Sequence, residues 1–184
     1  TGKVAGTNFT GSLLVGHTTS GTLNAATYNT GVGLAALDAM TSATNNTAVG
    51  ANALTAVNSG YGNVAMGYNA LTAVTTAGYN VGVGQDALKV ATGQGNVGVG
   101  YQAGEIIVGG AKNICIGLES GDNITSGDGN VVIGRADVSS ATGDQQLSIS
   151  DGTDGSVVWM TGDSSAKLTF PGALQVSGAT TVGV

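Results

Sequence analysis

Asn46-Thr47-Ala48-Val49-Gly50 and Asn63-Val64-Ala65-Met66-Gly67 stand 17 residues apart, and their repetition decides the fold. The same pattern, Asn-x-x-(Val/Ile/Met)-Gly, starts at Asn29, Asn80, Asn96, Asn113 and Asn130. Weaker copies are Ser12-Leu13-Leu14-Val15-Gly16 and Gln146-Leu147-Ser148-Ile149-Ser150. Intervals between starts are 17, 17, 17, 17, 16, 17, 17 and 16. A short, fixed period means one structural unit laid on the next, each burying what its neighbour cannot bury alone. With the motif Asn as position 1, positions 2 and 4 are mostly apolar or β-branched, and position 3 is small in the middle copies. That alternation has the period of a short strand, and β-branched residues favour strand over helix. Position 5 is Gly in eight of nine copies, and Asn at position 1 also tolerates positive φ, so turns are expected at both strand ends. The expected fold is all-β: a parallel β-solenoid, or β-roll, of about nine coils of 16–17 residues. At about 4.8 Å per coil the rod is roughly 40 Å long.

The alternation also predicts which side chains enter the roll. With positions 2 and 4 turned inward, the core receives Val32, Val49, Met66, Val83, Val99, Ile116 and Ile133. A second apolar column at position 12 adds Leu23, Met40, Val57, Val74, Ile107 and Ile124. In the shortened coil from Asn80 the matching residue is Val90, one place early, which puts the deletion between positions 9 and 12. Position 3 then points out of the roll: Gly31, Ala48, Ala65, Gly82, Gly98, Cys115 and Val132. A row of such small side chains permits close approach by another chain and reads as an oligomer axis.

Only 9% of the 184 residues are charged and 4% aromatic, whereas 33 are Gly, so a conventional globular core is not expected. No apolar run reaches 18 residues, which argues against membrane insertion. No secretion signal is visible, but the chain opens and closes as a piece of a longer protein would. Net charge is −6, all of it beyond residue 100, where nine acids face three bases. With no basic patch, nucleic acid is a poor partner. A lone Cys115 excludes an intrachain disulfide and reads as a small buried residue in the position-3 column.

Three regions are expected: an entry segment at 1–11, the repeat at 12–150, and a β-hairpin cap with a junction to further chain at 151–184. The last rests on turn-forming Asp151-Gly152-Thr153-Asp154-Gly155, two short apolar runs at 156–161 and 166–170, and a second turn at 162–165. A cap is needed because an uncovered last coil exposes unpaired strand edges.

The recurring Asn-(Thr/Val)-(Ala/Gly)-Val-Gly, followed by Ala-Leu as in Ala53-Leu54 and Ala70-Leu71, resembles the head repeats of YadA-like trimeric adhesins, also found in bacteriophage tail fibres. The resemblance covers about residues 12–150. It implies a left-handed homotrimer of parallel β-rolls with the motif strand near a threefold axis, which makes the position-3 row a trimer axis. The period here is longer than is typical of the family, which implies longer outer corners. The ending that runs from Leu168-Thr169-Phe170-Pro171-Gly172 to Val184 looks like junctions in phage fibres. The function implied is a structural and adhesive segment of a trimeric fibre. A virion tail fibre is favoured over a cell-surface adhesin, with a host glycan or protein receptor as the further partner.

Other motifs read more plainly. Gly93-Gln94-Gly95-Asn96-Val97-Gly98 matches a dinucleotide fingerprint by letter, but its glycines belong to the repeat and no helix is expected after it. Asp122, Asp128, Asp151 and Asp154 suggest calcium-roll loops but lack nonapeptide spacing and are not expected to stack, so no metal or other cofactor is expected. His17 has no partner at a meaningful spacing. Asp137, Asp144 and Glu119 supply carboxylates across trimer faces without selecting a pair, so glycan cleavage is the weaker alternative and no catalytic residue is assigned. An ice-binding face would want a regular Thr-x-Thr array, which is missing. Tyr68 and Tyr101, at position 6, are candidate glycan contacts through their ring faces, or else pack on a neighbouring chain's turns.

Overall fold

A computed structural model describes residues 2–6, 9–16 and 24–172; Leu23 and His17 lie outside them. The strands are β1 (Gly2–Gly6), β2 (Phe9–Val15), β3 (Ala26–Thr27), β4 (Thr30–Val32), β5 (Thr47–Val49), β6 (Val64–Met66), β7 (Val81–Val83), β8 (Val97–Val99), β9 (Ile114–Ile116), β10 (Val131–Ile133), β11 (Leu147–Ser150), β12 (Val158–Gly162) and β13 (Leu168–Thr169). Every motif copy forms a strand, and β2 and β4 to β11 pair in parallel, position on position, as a β-solenoid. The expected entry segment is in part a strand, since β1 pairs antiparallel with β2. At the other end β12 returns antiparallel along β11 and β13 along β12, so a meander continues the sheet past the last coil.

The coils approach closely at position 5. Gly67 has φ 141°, and a Cβ there would stand 2.4 Å from the carbonyl oxygen of Gly84. Any side chain would push successive coils apart, which is why Gly recurs. The motif Asn does not supply the other turn as expected. Positive φ falls one residue earlier, at Tyr28, Asn45, Gly62, Tyr79, Gly95, Lys112, Gly129 and Gln145.

The motif Asn side chain instead forms a buried amide ladder. The Asn46 Oδ1 accepts from the backbone N–H of Asn63 at 3.0 Å and from its Nδ2 at 3.0 Å, while the Asn46 Nδ2 donates to the Gly60 carbonyl at 2.9 Å. Equivalent bonds join Asn29 to Asn46 and Asn63 to Asn80, and likewise Asn96 to Asn113 and Asn113 to Asn130. Ser12 starts the ladder by accepting from the Asn29 N–H at 2.8 Å, and Gln146 ends it on Asn130. A side chain with both donors and acceptors is required, because an unpaired amide in this interior would cost about 1–3 kcal/mol.

The interior is the reverse of the expected one. Position 3 is buried in every coil, with Ala48, Ala65, Cys115 and Val132 fully enclosed, whereas positions 2 and 4 face outward. Gly31, Ala48, Ala65, Gly82, Gly98, Cys115 and Val132 therefore line the roll and no axis between chains. Val32, Val49, Met66, Val83, Val99, Ile116 and Ile133 are surface residues and not core. The physical reason is the leucine at position 9. Leu37, Leu54, Leu71 and Leu88 are fully buried, and a Cβ at Gly82 or Gly98 would stand 3.0 or 2.7 Å from the Cγ of Leu71 or Leu88 on the preceding coil. Position 3 is small to admit that leucine. The position-12 residues Met40, Val57, Val74, Ile107 and Ile124 are fully buried, as expected. In the shortened coil, however, Ala91 occupies position 12 in the core and Val90 is half-exposed, so the deletion lies after position 12.

Candidate functional site

The turned-out strand faces place two apolar columns side by side along the rod. Position 2 carries Leu13, Thr30, Thr47, Val64, Val81, Val97, Ile114, Val131 and Leu147; position 4 carries Val15, Val32, Val49, Met66, Val83, Val99, Ile116, Ile133 and Ile149. In-register parallel pairing keeps the columns straight. Val32 is 38% exposed, Met66 46% and Ile116 40%, in strands whose backbone bonds are already satisfied by the coils above and below. With nine stacked strands about 4.8 Å apart and about 6.6 Å between positions 2 and 4, the two columns cover roughly 300 Å². A contiguous apolar patch of a few hundred Å² is at the upper end of what monomers expose. At the adjoining corner, position 6 extends it with exposed Leu34, Tyr68, Tyr101 and Leu118.

Tyr68 and Tyr101 thus flank the apolar face and share their corner with two leucines. A separate aromatic contact lies on the other side of the motif strand, where the rings of Tyr61 and Tyr79 meet edge to face with centroids 5.0 Å apart. Cys115 is enclosed in the roll, and burial, followed by the charge of Asp137, pushes its thiol up to about 12.

The acidic residues serve corners. Asp128 stacks with Asp144, which is not one of the four turn acids considered for calcium: the Asp128 carboxylate accepts from the Ala111 N–H at 2.7 Å, and the Asp144 carboxylate from the Asp128 N–H at 2.8 Å. Their oxygens bind the backbone of the coil before. The Asp154 carboxylate similarly accepts from the Ser156 N–H at 3.0 Å. Among the described residues no group of three or more acidic, His or Cys side chains is arranged to hold a metal. Asp122 and Asp137 share a surface corner with the Glu119–Arg135 ion pair. Burial, then the hydrogen bond and charge of Asp137, push Asp122 up to about 6. Asp144 stands at a different corner, so the structure brings Asp137 beside Asp122 and Glu119 and not beside Asp144.

No known protein family, characterised protein or solved structure matches the chain. Its own geometry carries the functional reading. The outward face had a signal in the sequence that the period-2 reading passed over. Position 9 of one coil and position 3 of the next vary inversely: Leu71 with Gly82 and Leu88 with Gly98, but Gly104 with Cys115 and Gly121 with Val132. Residues that exchange volume share a core, and that places position 3 inside.

Proposed function

We propose that the chain is a segment of a homotrimeric fibre, most simply a virion tail fibre, with the position 2 and 4 columns of three rolls packed around the threefold axis. The observation that carries this is the position-4 column, apolar from Val15 to Ile149 and turned outward on a sheet whose strands are paired on both sides by neighbouring coils. Such a face gains from burial at about 25 cal/mol per Å² and needs no rearrangement to meet its copies. Closed cyclic assembly also removes the apolar surface that would otherwise drive open-ended association. The role is mechanical and adhesive: stacked ladders stiffen the rod, and threefold repetition multiplies weak contacts with a host surface. A trimeric adhesin head on a cell surface uses the same geometry and is the second reading, supported by the same repeat motif.

Sedimentation equilibrium tests this directly. The expected mass is three times the 17.7 kDa of one chain. Met66→Glu with Val83→Glu, both on the outward column, should yield folded monomer, while Gln85→Glu at a corner should stay trimeric. A monomeric wild type, or a trimer indifferent to charge at Met66 and Val83, would overturn the reading.

A further inference from the structure

We propose a saccharide-binding pocket where the meander leaves the last coil, formed by a cross-strand row of hydroxyls from Ser148, Thr161 and Thr169. The row follows from register: Ser148 on β11 lies opposite Thr161 on β12, which lies opposite Thr169 on β13. All three continue the position-3 column, which faces the roll interior along the coils and changes there from apolar to hydroxyl. Where the coils stop, that face borders a cavity of about 210 Å³, with Asp137, Asp163 and Lys167 also in its wall.

Three features make this a site and not merely a wet corner. Ser148 is only 2% exposed, its hydroxyl borders the cavity, and it has no hydrogen-bond partner among the described residues. Facing Ser and Thr hydroxyls can pair across neighbouring strands, but among the described residues no hydrogen bond joins these three to one another. A bridging molecule with several hydroxyls of its own would satisfy all of them. The charge balance chooses its class. Two carboxylates and one ammonium in the wall disfavour phosphate and other anions, and no metal-binding cluster is present among the described residues. What remains is a neutral polyol. The cavity is smaller than the roughly 300–1,000 Å³ of drug-sized pockets, so it fits a single sugar ring.

The hydroxyl row lies on the opposite side of the sheet from the proposed trimer face. Leu147 and Leu168 pair with Gly162 on the outward side, where a Cβ on that glycine would stand 3.2 Å from each. Trimerisation would therefore leave three pockets open. The inference deepens the attachment reading above and rests on it only for that threefold multiplication, since one chain builds the whole pocket.

Saturation-transfer NMR on the full chain, with methyl α-D-glucopyranoside, methyl β-D-galactopyranoside and N-acetyl-D-glucosamine as separate probes, tests it. At least one should show transfer with millimolar affinity, weakened tenfold or more by Ser148→Ala and by Thr161→Val. Thr169→Val, on an exposed strand, provides a third variant if either of these fails to fold. Gln94→Ala, at an exposed corner of the roll, should leave binding unchanged. Silence from all three sugars, wild-type binding by the folded hydroxyl variants, or binding lost with Gln94→Ala would overturn the proposal. A sugar-binding monomer would sink the trimer and spare the pocket; a trimer that binds no sugar would do the reverse.

Discussion

Coils starting at Asn46 and Asn63 fill the same interior as those starting at Asn96 and Asn113, by opposite means. The first pair places Leu54 and Leu71 at position 9, each fully buried, and leaves Ala65 and Gly82 as the small residues on the following strand. The second pair places Gly104 and Gly121 at position 9 and returns the volume through Cys115 and Val132. A Cβ at Gly121 would stand 2.7 Å from the Cys115 sulfur, so neither solution has room to spare. The backbone barely differs, because position 9 holds positive φ in both: 51° at Leu54 and 61° at Gly104. Leucine there carries about 1–2 kcal/mol of left-handed strain, and its burial offsets that with roughly 1.5–3 kcal/mol. The coil specifies a total volume and leaves open which strand supplies it.

The comparison is most sharply broken at Leu54. Leu54→Gly should lower stability by about 2–5 kcal/mol, read from urea denaturation, because it leaves a cavity. Adding Ala65→Val copies the arrangement of Gly121 and Val132 and should recover a good part of the loss. A double variant no more stable than Leu54→Gly alone would show that the two solutions are not interchangeable. By contrast, Ala65→Leu with Leu54 retained overfills the space and should destabilise the folded coil by about 1–3 kcal/mol.

Next in size is the amide ladder that both kinds of coil share. Asn63→Ala strips the partner from the Asn80 N–H and from the Ala77 carbonyl, where the present bonds are 2.9 and 3.0 Å. The expected loss is about 1–3 kcal/mol for each buried group left unpaired, seen as a lower thermal midpoint. Asn113→Ala should behave alike, since the ladder is the same in the second pair of coils. A loss confined to one of them would mean that ladder and core are coupled.

The smallest effect is electrostatic and belongs to the second region alone. Asp122 sits at about 6 in the folded chain, above its unfolded value of 3.8, so the folded state binds more protons between those limits. Stability should then fall as pH rises from about 4 to 6. Asp122 is exposed, so solvent tempers the effect. Asp122→Asn should flatten the pH dependence of the thermal midpoint over that window and raise the midpoint modestly at pH 7. An unchanged profile would show that Asp122 and Asp137 do not share a proton.

Much of this molecule is legible from its letters. The period locates every motif strand of the roll, from Leu13 through Ile149, though not β3, and the turns at 151–155 and 162–165 mark where β12 and β13 leave it. The fates of Val90 and Ala91 are not legible, because an apolar valine looks like the better core residue. The corner geometry buries the alanine and leaves the valine half-exposed. The Asn ladder is hidden for another reason: one residue type serves both turns and ladders, and only the neighbouring coil shows which bonds it makes.

Sequence alone determined that a 16–17-residue unit stacks in register, because spacing and strand alternation are one-dimensional facts. It did not determine which side of the strand is inside. A period of two defines two faces, and a fibre that buries one in its own roll and offers the other to a partner needs apolar residues on both. Tertiary structure made the choice through buried position-9 leucines such as Leu54, Leu71 and Leu88, which leave room at position 3 of the next coil only for alanine or glycine.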